Sequence, residues 1–203
     1  MKTNFLLVRH AQSEARERGI VQGEGLTVPL SEQGIKQAEK LGDFLRDHNF
    51  DQIFSSTALR AIDTAKAIRK FHADIPYIEI KELNERSKGE AEGMLKSEFN
   101  TKYPEILKRW EKEEDARPEG GESYGDVEKR VMPIFDKHLK EFSGEKLLYV
   151  THGNLIKVVL GNILEIPYGK RARIEQDYCA LNSLAFDQEK GRWSIEYINR
   201  TCL

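Results

Sequence analysis

Cysteine is scarce in this chain of 203 residues, which contains only Cys179 and Cys202. Two thiols are too few for a disulfide scaffold, and the sequence has no CxxC or Cys/His spacing that would suggest zinc. Stability must therefore come from a hydrophobic core, and a domain of this length buries roughly 70% of the surface that its unfolded chain exposes. We expect a reducing compartment, with the cytoplasm as the default.

Long apolar runs are missing as well. No segment approaches the roughly 20 apolar residues that a membrane-spanning helix requires. The first apolar run covers only residues 5–8 and is ended by Arg9, so the N-terminus does not resemble a secretory signal. We therefore expect no association with a membrane.

A large excess of charge of either sign is also absent. The chain has 32 basic and 34 acidic residues, and its formal net charge is −2. Nucleic acid and acidic membrane surfaces are therefore not expected as partners. Any positively charged site must be a local cluster of basic residues that the net charge of the whole chain does not reveal.

Short β-forming segments alternate with helical patterns along the chain. The predicted strands cover residues 5–8, 52–54, 77–80, 146–151, 180–186 and 193–198. The predicted helices cover residues 32–48, 57–70, 95–115, 123–142 and 154–164. In the first helix Ile35, Ala38, Leu41 and Leu45 share one stripe, and Ser31 is the expected N-cap. Residues 188–192 (QEKGR) predict a hairpin turn between the last two strands.

This alternation predicts an α/β fold. Crossovers between parallel strands are right-handed, which places helices on both faces of the sheet. We expect a three-layer α/β/α sandwich around a mostly parallel sheet with an antiparallel edge strand. Residues 1–203 should form one domain, from which a charged helical excursion extends at about residues 90–122.

Chemically reactive side chains stand at or shortly after the ends of the first four predicted strands. They are Arg9 with His10, Arg60, Glu85 and His152. The carboxyl ends of parallel strands share one edge of the sheet, so these residues should converge there. Arginines bind phosphate or carboxylate, histidines supply a nucleophile and a donor, and a carboxylate can protonate a leaving group. No acidic cluster is present to hold magnesium, so we expect chemistry without a metal or other cofactor.

The segment LVRHAQSE, residues 7–14, resembles the Arg-His-Gly signature of the histidine phosphatase superfamily, which includes the cofactor-dependent phosphoglycerate mutases. Ala11 stands where that family usually has glycine. Five further motifs occur in the family's order: PLSEQG (29–34), SSTALRAIDTA (55–65), LNER (83–86), PEGGES (118–123) and VTHGN (150–154). The resemblance covers about residues 4–164 and implies a phosphoglycerate mutase-like fold.

The resemblance also implies roles for individual residues. His10 resembles the nucleophile that is transiently phosphorylated, and Glu85 resembles the proton donor. Arg9, Arg60 and His152 resemble the pocket that neutralises the phosphoryl oxygens. Six positions resemble substrate-binding positions: Ser13, Arg16, Gln22, Gly23, Gly153 and Asn154.

Several readings stay open. Arg16 replaces an asparagine that many members carry, so it either adds a cation beside the site or points to solvent. Arg86 and Lys88 are expected to be solvated, with a contact to substrate as the alternative. His48, His72 and His138 have no partners at catalytic spacing and are expected on the surface.

One further motif matches a catalytic pattern but lacks the structural context that this pattern requires. Residues 121–125 (GESYG) fit the nucleophile elbow of serine hydrolases, but no strand is predicted before them. Ser123 is therefore expected to be the N-cap of the helix that follows. The GES triplet can still border the pocket.

Three functions compete. The first is a metal-independent phosphatase for a small phosphorylated metabolite, and the second is a mutase that returns the phosphoryl group to a second hydroxyl. The cofactor-dependent mutases that the sequence resembles are longer between the positions of Glu85 and His152 and carry additional basic residues there. In this chain 66 residues separate the two, and residues 111–119 (EKEEDARPE) are acid-rich, so the resemblance favours hydrolysis. The third is a catalytically inactive scaffold, which the complete set of core residues disfavours. The sequence leaves the substrate and the oligomeric state open, with a homodimer paired through the last strands as one option.

Overall fold

One mixed sheet forms the centre of the computed structural model, which describes residues 1–25 and 27–202. Its six strands in the described residues are β1 (Lys2–Arg9), β2 (Gln52–Ser55), β3 (Tyr77–Glu79), β4 (Lys146–Thr151), β5 (Leu181–Asp187) and β6 (Arg192–Arg200). The strand order is β3-β2-β4-β1-β5-β6. β1, β2, β3 and β4 are parallel, whereas β5 runs antiparallel to β1 and β6 antiparallel to β5. The prediction of a mostly parallel sheet with an antiparallel edge is confirmed.

Helices connect the strands. They are α1 (Glu14–Glu17), α2 (Glu32–Leu45), α3 (Leu59–Arg69), α4 (Lys96–Lys102), α5 (Pro104–Glu111), α6 (Tyr124–Glu141) and α7 (Gly153–Ile163). Short 3₁₀ turns cover Lys81–Leu83, Gly89–Ala91 and Tyr168–Arg173. Ser31 and Ser123 cap α2 and α6 as predicted, since each side chain accepts a backbone N–H of its helix. No helix in the described residues has the length and apolarity needed to cross a membrane.

The stretch predicted to be helical over residues 95–115 is largely helical, and it is divided into two helices. α4 and α5 are separate because Pro104 has no N–H to continue α4 and disfavours helical backbone at Tyr103, where φ is −123° and ψ is 51°. Proline is well suited to begin α5 instead, since the N–H it lacks would have no partner there. Both helices lie in the stretch from about residue 90 to 122. They pack on a small apolar cluster of their own, formed by Ala91, Phe99, Ile106 and Ala116.

Both faces of the sheet are buried. Along β4, Leu147 and Tyr149 join the cluster that also contains residues of α6 and α7. Leu148 and Val150 point the other way, into the cluster that contains residues of α2 and α3. This alternation follows from the two-residue period of a strand, and a buried central strand therefore reads as a continuous apolar run. The predicted three-layer arrangement is confirmed.

The predicted stripe of α2 is correct at three positions and wrong at one. Ala38, Leu41 and Leu45 are buried, whereas Ile35 is 51% exposed. Gly34 takes the place at the packed face, because a Cβ on it would lie 1.9 Å from the carbonyl oxygen of Gln12. Close contact with the loop after β1 therefore turns Ile35 outwards.

Two of the three histidines expected on the surface are buried, so that expectation is wrong for them. His72 is 8% exposed, and its Nε2 lies 3.0 Å from the carbonyl oxygen of Leu45. His138 is 5% exposed, and its Nδ1 lies 2.7 Å from the Tyr149 hydroxyl. Each has a hydrogen-bond partner that is distant in the sequence, which removes most of the cost of burying an imidazole. His48 is exposed as predicted.

Candidate active site

Three parallel strands end side by side at one edge of the sheet. Arg9 at the end of β1 pairs with Thr151 at the end of β4, and Ser55 at the end of β2 pairs with Val150. The residues that follow these strands, including His10 and His152, therefore emerge together. A cavity of about 160 Å³ opens at this edge. It is lined by Arg9, His10, Arg16, Ile20, Gln22, Arg60, Glu85, Lys96, Asn154 and Tyr178.

His10 lies in the cavity wall with a defined tautomer. Its side chain is buried, and Nδ1 lies 2.7 Å from the carbonyl oxygen of Ala11. A carbonyl oxygen can only accept, so Nδ1 carries the proton and Nε2 keeps its lone pair. Burial, followed by the charges of Arg60 and Arg9, lowers the pKa of His10 well below 6.5. The ring is therefore neutral at neutral pH and can act as a nucleophile.

Arg60 is a buried cation, although the sequence places it off the apolar stripe that Ala61, Ala65 and Ile68 form on α3. It is 1% exposed, and its two Nη atoms donate to the carbonyl oxygens of Gly25 at 2.6 Å and Gly23 at 2.9 Å. Burial lowers the pKa of Arg60 to about 10, so it stays charged at neutral pH. Its Nε makes no hydrogen bond within the described residues.

Arg9 is held by the segment that precedes β5. Its Nη1 donates to the carbonyl oxygen of Gln176 at 2.5 Å, and its guanidinium carbon lies 4.0 Å from the ring centre of Tyr178. Gly153 lies against the same side chain, because a Cβ on it would be 3.4 Å from Nε of Arg9. The charge of Arg9 is thus fixed beside His10 by a backbone acceptor and an aromatic face.

Glu85 is buried and lines the same cavity. Its Oε1 accepts the N–H of Arg86 at 2.8 Å, and its Oε2 accepts the N–H of Asn154 at 3.3 Å. Arg130 supports this loop, since its Nη2 donates to the carbonyl oxygens of Asn84 and Glu85. The orientation of Glu85 is therefore set by two backbone donors and by contacts made from α6.

A second support of this region is Glu122, the glutamate of the GES triplet. It accepts Nε of Arg130 at 2.7 Å and the N–H of Ser87 at 2.9 Å. The ion pair with Arg130 and the N–H of Ser87 lower the pKa of Glu122 despite its partial burial. Glu122 does not line the cavity but braces the loop that carries Glu85.

His152 is fully buried next to His10. The two ring centres are 5.0 Å apart, and Nε2 of His152 lies 2.7 Å from the hydroxyl of Ser56. Nδ1 is buried and makes no hydrogen bond within the described residues. Burial, followed by the charges of Arg60, His10 and Arg9, lowers the pKa of His152 well below 6.5. This imidazole is therefore neutral at neutral pH as well.

The positions that resemble substrate-binding residues fall into two groups. Arg16, Gln22 and Asn154 line the cavity, whereas Ser13, Gly23 and Gly153 do not. Ser13 is buried, and its hydroxyl donates to Oε1 of Gln22 at 2.8 Å. This hydrogen bond orients the amide of Gln22, whose Nε2 has no partner within the described residues. Arg16 is exposed to solvent and also lines the cavity, so it adds a cation beside the site.

Arg86 and Lys88 do not line the cavity. Arg86 is 5% exposed, so the expectation that it is solvated is wrong. Its guanidinium lies over the rings of Tyr124 at 4.6 Å and Trp110 at 5.2 Å. Lys88 is half-buried, with Nζ 4.8 Å from the ring centre of Trp110. Burial and the charge of Arg86 lower the pKa of Lys88 to about 7.

Three residues of the cavity wall were missed by the sequence reasoning. Lys96 begins α4, and Tyr178 and Ile20 lie in loops. Lys96 lines the same cavity as Arg16, and burial, followed by the charge of Arg16, lowers the pKa of Lys96. No local pattern distinguishes Lys96 from the other lysines of its charged segment. Only the packing of α4 brings it to the cavity.

Comparisons with known proteins identify the family of this chain. The sequence model of the histidine phosphatase superfamily (branch 1) matches residues 5–201. The 2,3-bisphosphoglycerate-dependent phosphoglycerate mutase 2 of Gloeobacter violaceus is 33% identical over 194 residues, which cover 91% of this chain and 85% of the mutase.

Solved structures share the fold. The mycobacterial glucosyl-3-phosphoglycerate phosphatase is 23% identical, with a TM-score of 0.87 over 99% of this chain and 100% of that one. The α-ribazole phosphatase of Shigella flexneri is 24% identical, with a TM-score of 0.84 over 97% of this chain and 96% of that one. Because the family's sequence model matches nearly the whole chain and a mutase relative is one-third identical, the chain belongs to the histidine phosphatase superfamily.

Proposed function

We propose that this protein is a metal-independent phosphatase that hydrolyses a small phosphate monoester through a phosphohistidine formed on Nε2 of His10. The observation that best supports this function is the tautomer of His10. Its Nδ1 proton is held by the carbonyl oxygen of Ala11, which leaves the lone pair on Nε2 in a cavity lined by Arg9, Arg60 and Glu85. Nucleophile, cations and acid are therefore close enough to act on one phosphoryl group.

In the first step, Nε2 of His10 attacks phosphorus in line with the ester oxygen. The N–P bond forms as the P–O bond to the leaving group breaks. Arg9 and Arg60 neutralise the charge of the equatorial oxygens from fixed positions. Such electrostatic stabilisation of the transition state supplies most of the rate acceleration in phosphoryl transfer. The protonated form of Glu85 gives its proton to the departing alkoxide, so the alcohol leaves as a neutral molecule.

In the second step, water replaces the alcohol. The Glu85 carboxylate takes a proton from the water as its oxygen attacks phosphorus, and the N–P bond breaks. Phosphate leaves, and both His10 and Glu85 return to their starting protonation states. The backbone N–H groups of Arg86 and Asn154 keep Glu85 in one orientation through both steps.

This chemistry assigns to arginines the charge neutralisation that a metal ion supplies in other phosphatases. Arg60 suits the task because its two carbonyl partners fix the guanidinium while burial strengthens its field. We therefore expect turnover to continue in the presence of EDTA. Loss of activity on chelation, restored by an added divalent cation, would contradict this part of the proposal.

A specific observation favours a second candidate, phosphoryl transfer of the mutase type. Arg16 and Lys96 add two cations to the wall of the same cavity, which suits a substrate with a second anionic group, such as a phosphoglycerate. The mutase relative from Gloeobacter violaceus is consistent with that chemistry. The short, acid-rich segment between Glu85 and His152 still favours water as the acceptor.

The test separates these functions. Hydrolysis predicts release of phosphate from an aryl phosphate in EDTA, and rapid quenching should trap phosphate that is labile in acid and stable in base. His10→Ala should abolish both signals. A mutase would interconvert phosphoglycerates only after priming by a bisphosphorylated compound, with little net phosphate release. Absence of turnover and of trapped phosphate on every phosphoester tested would contradict both candidates and favour a scaffold.

A further inference from the structure

We propose that Ser56 is a positioning residue that sets the tautomer of His152, so that the imidazole presents an Nδ1–H donor to the phosphoryl group carried by His10. The catalytic consequence rests on the proposed function, whereas the tautomer itself does not. Ser56 is fully buried immediately after β2, and its Oγ lies 2.7 Å from Nε2 of His152.

The direction of this hydrogen bond follows from the other partner of the hydroxyl. The N–H of Ala58 donates to Oγ of Ser56 at 3.3 Å, and a backbone N–H cannot accept in return. Among the described residues, Nε2 of His152 is then the acceptor within reach of the hydroxyl proton. If Nε2 carried the proton, the Ser56 hydroxyl proton would be buried without a partner, which is unfavourable.

Ser56 cannot readily turn away from this role. Its N–H donates to the carbonyl oxygen of Val150 at 3.0 Å, which fixes the backbone at this position whether or not the neighbouring Ser55 hydroxyl is present. The side chain is held on one side by the N–H of Ala58 and on the other by His152.

The consequence for His152 concerns its second nitrogen. Because the ring is neutral, a proton excluded from Nε2 resides on Nδ1. Nδ1 is buried, has no hydrogen-bond partner within the described residues, and belongs to a ring whose centre is 5.0 Å from that of His10. A neutral N–H there can donate to a phosphoryl oxygen, whereas the other tautomer would direct a lone pair at that oxygen.

The primary test is spectroscopic and needs no substrate. In protein with ¹⁵N-labelled histidine at neutral pH, long-range ¹H–¹⁵N spectra report which ring nitrogen is protonated, and a His152→Asn variant assigns the signals. We expect protonated Nδ1 and unprotonated Nε2 in the wild-type protein. Protonated Nε2 in the wild-type protein would overturn the proposal, even if Ser56→Ala failed to fold.

The chain supplies a matched control for the variants. Ser56→Ala and Ser55→Ala each remove one buried serine hydroxyl from neighbouring positions, but only Ser56 contacts His152. We expect Ser56→Ala to shift His152 to a mixture of tautomers and Ser55→Ala to leave the Nδ1–H signature intact. An unchanged His152 spectrum in folded Ser56→Ala would refute the role of Ser56.

The kinetic arm then tests the catalytic consequence. We expect Ser56→Ala to lower kcat about 10- to 100-fold with a smaller change in KM, approaching the loss seen when one transition-state donor is removed. Equal kinetic losses in the two alanine variants would show that the hydroxyl acts only through packing. A protein inactive on all phosphoesters would refute the proposed function. The tautomer measurement needs no turnover, so it would still test the role of Ser56.

Discussion

Arg60 and Glu92 bind the backbone of the same loop, Arg60 through the loop's carbonyl oxygens and Glu92 through its N–H groups. Arg60 donates to the carbonyl oxygens of Gly23 and Gly25, whereas Glu92 accepts the N–H of Glu24 at 3.0 Å and that of Gly25 at 3.1 Å. Glu92 also accepts the N–H of Lys88 at 2.8 Å, so it joins this loop to the loop that follows Glu85. One buried cation and one carboxylate thereby connect two walls of the cavity.

Loss of the Glu92 carboxylate should therefore loosen both walls together. Glu92→Ala leaves several partly buried backbone N–H groups without acceptors. We therefore expect the free energy of unfolding to fall by about 1–3 kcal/mol. We also expect kcat/KM to fall at least tenfold, measured with an aryl phosphate. Glu90→Ala removes a neighbouring exposed carboxylate and should change neither quantity appreciably. Similar losses in both variants would contradict the special role of Glu92.

Arg60→Lys should be far from conservative. A lysine offers one ammonium group in place of a guanidinium whose two Nη atoms reach Gly23 and Gly25 together. We expect kcat to fall about a hundred- to thousandfold, as for the removal of one preorganised transition-state donor. Arg69→Lys is the control, since Arg69 lies on the same helix and packs over Tyr77. Activity within a few-fold of wild type in Arg60→Lys would argue against the proposed role.

Arg16 and Lys96 should govern the binding of a second anionic group. For a phosphoester that also bears a carboxylate, Arg16→Gln or Lys96→Gln should raise KM severalfold and change kcat little, since uniform binding is removed. The same variants should hardly affect an aryl phosphate without a second anion. Lys102→Gln, an exposed change on the same helix, serves as the control. Identical effects on both substrates would show that these cations act on the phosphoryl group itself.

The stability of the protein should fall in mild acid, partly because of His138. Burial lowers the pKa of His138 below 6.5, so the unfolded chain binds a proton there before the folded protein does. This contribution to stability is complete above pH 6.5 and is lost as the pH falls below it, by at most about 1.4 kcal/mol per pH unit. Urea unfolding at pH 7.5 and 5.5 should show a smaller loss for His138→Gln than for the wild type. An equal loss would exclude His138 as a contributor.

Local sequence determined the elements and the order of the reactive residues. Strand-like runs precede Arg9, Arg60 and His152 in the sequence, and parallel strands end at one edge of the sheet, so their convergence could be predicted. Arg9 and Arg60 line the cavity, and the ring of His152 lies beside that of the cavity residue His10. The N-caps at Ser31 and Ser123 were also predictable, since a cap involves only residues three positions apart. Such features depend on neighbours in the chain, which is why a single sequence displays them.

Other features were decided only by tertiary structure. Helical periodicity left Arg60 off the apolar stripe of α3, yet two distant carbonyl oxygens make its burial possible. Glu92 and Lys96 stand in a charged segment with no distinguishing pattern, and His138 was expected on the surface. Each owes its role to partners far away in the chain, and periodicity carries no information about such partners. The sequence thus determined which reactive side chains follow the strands. Long-range hydrogen bonds and packing decided which charged side chains are buried and how they are oriented.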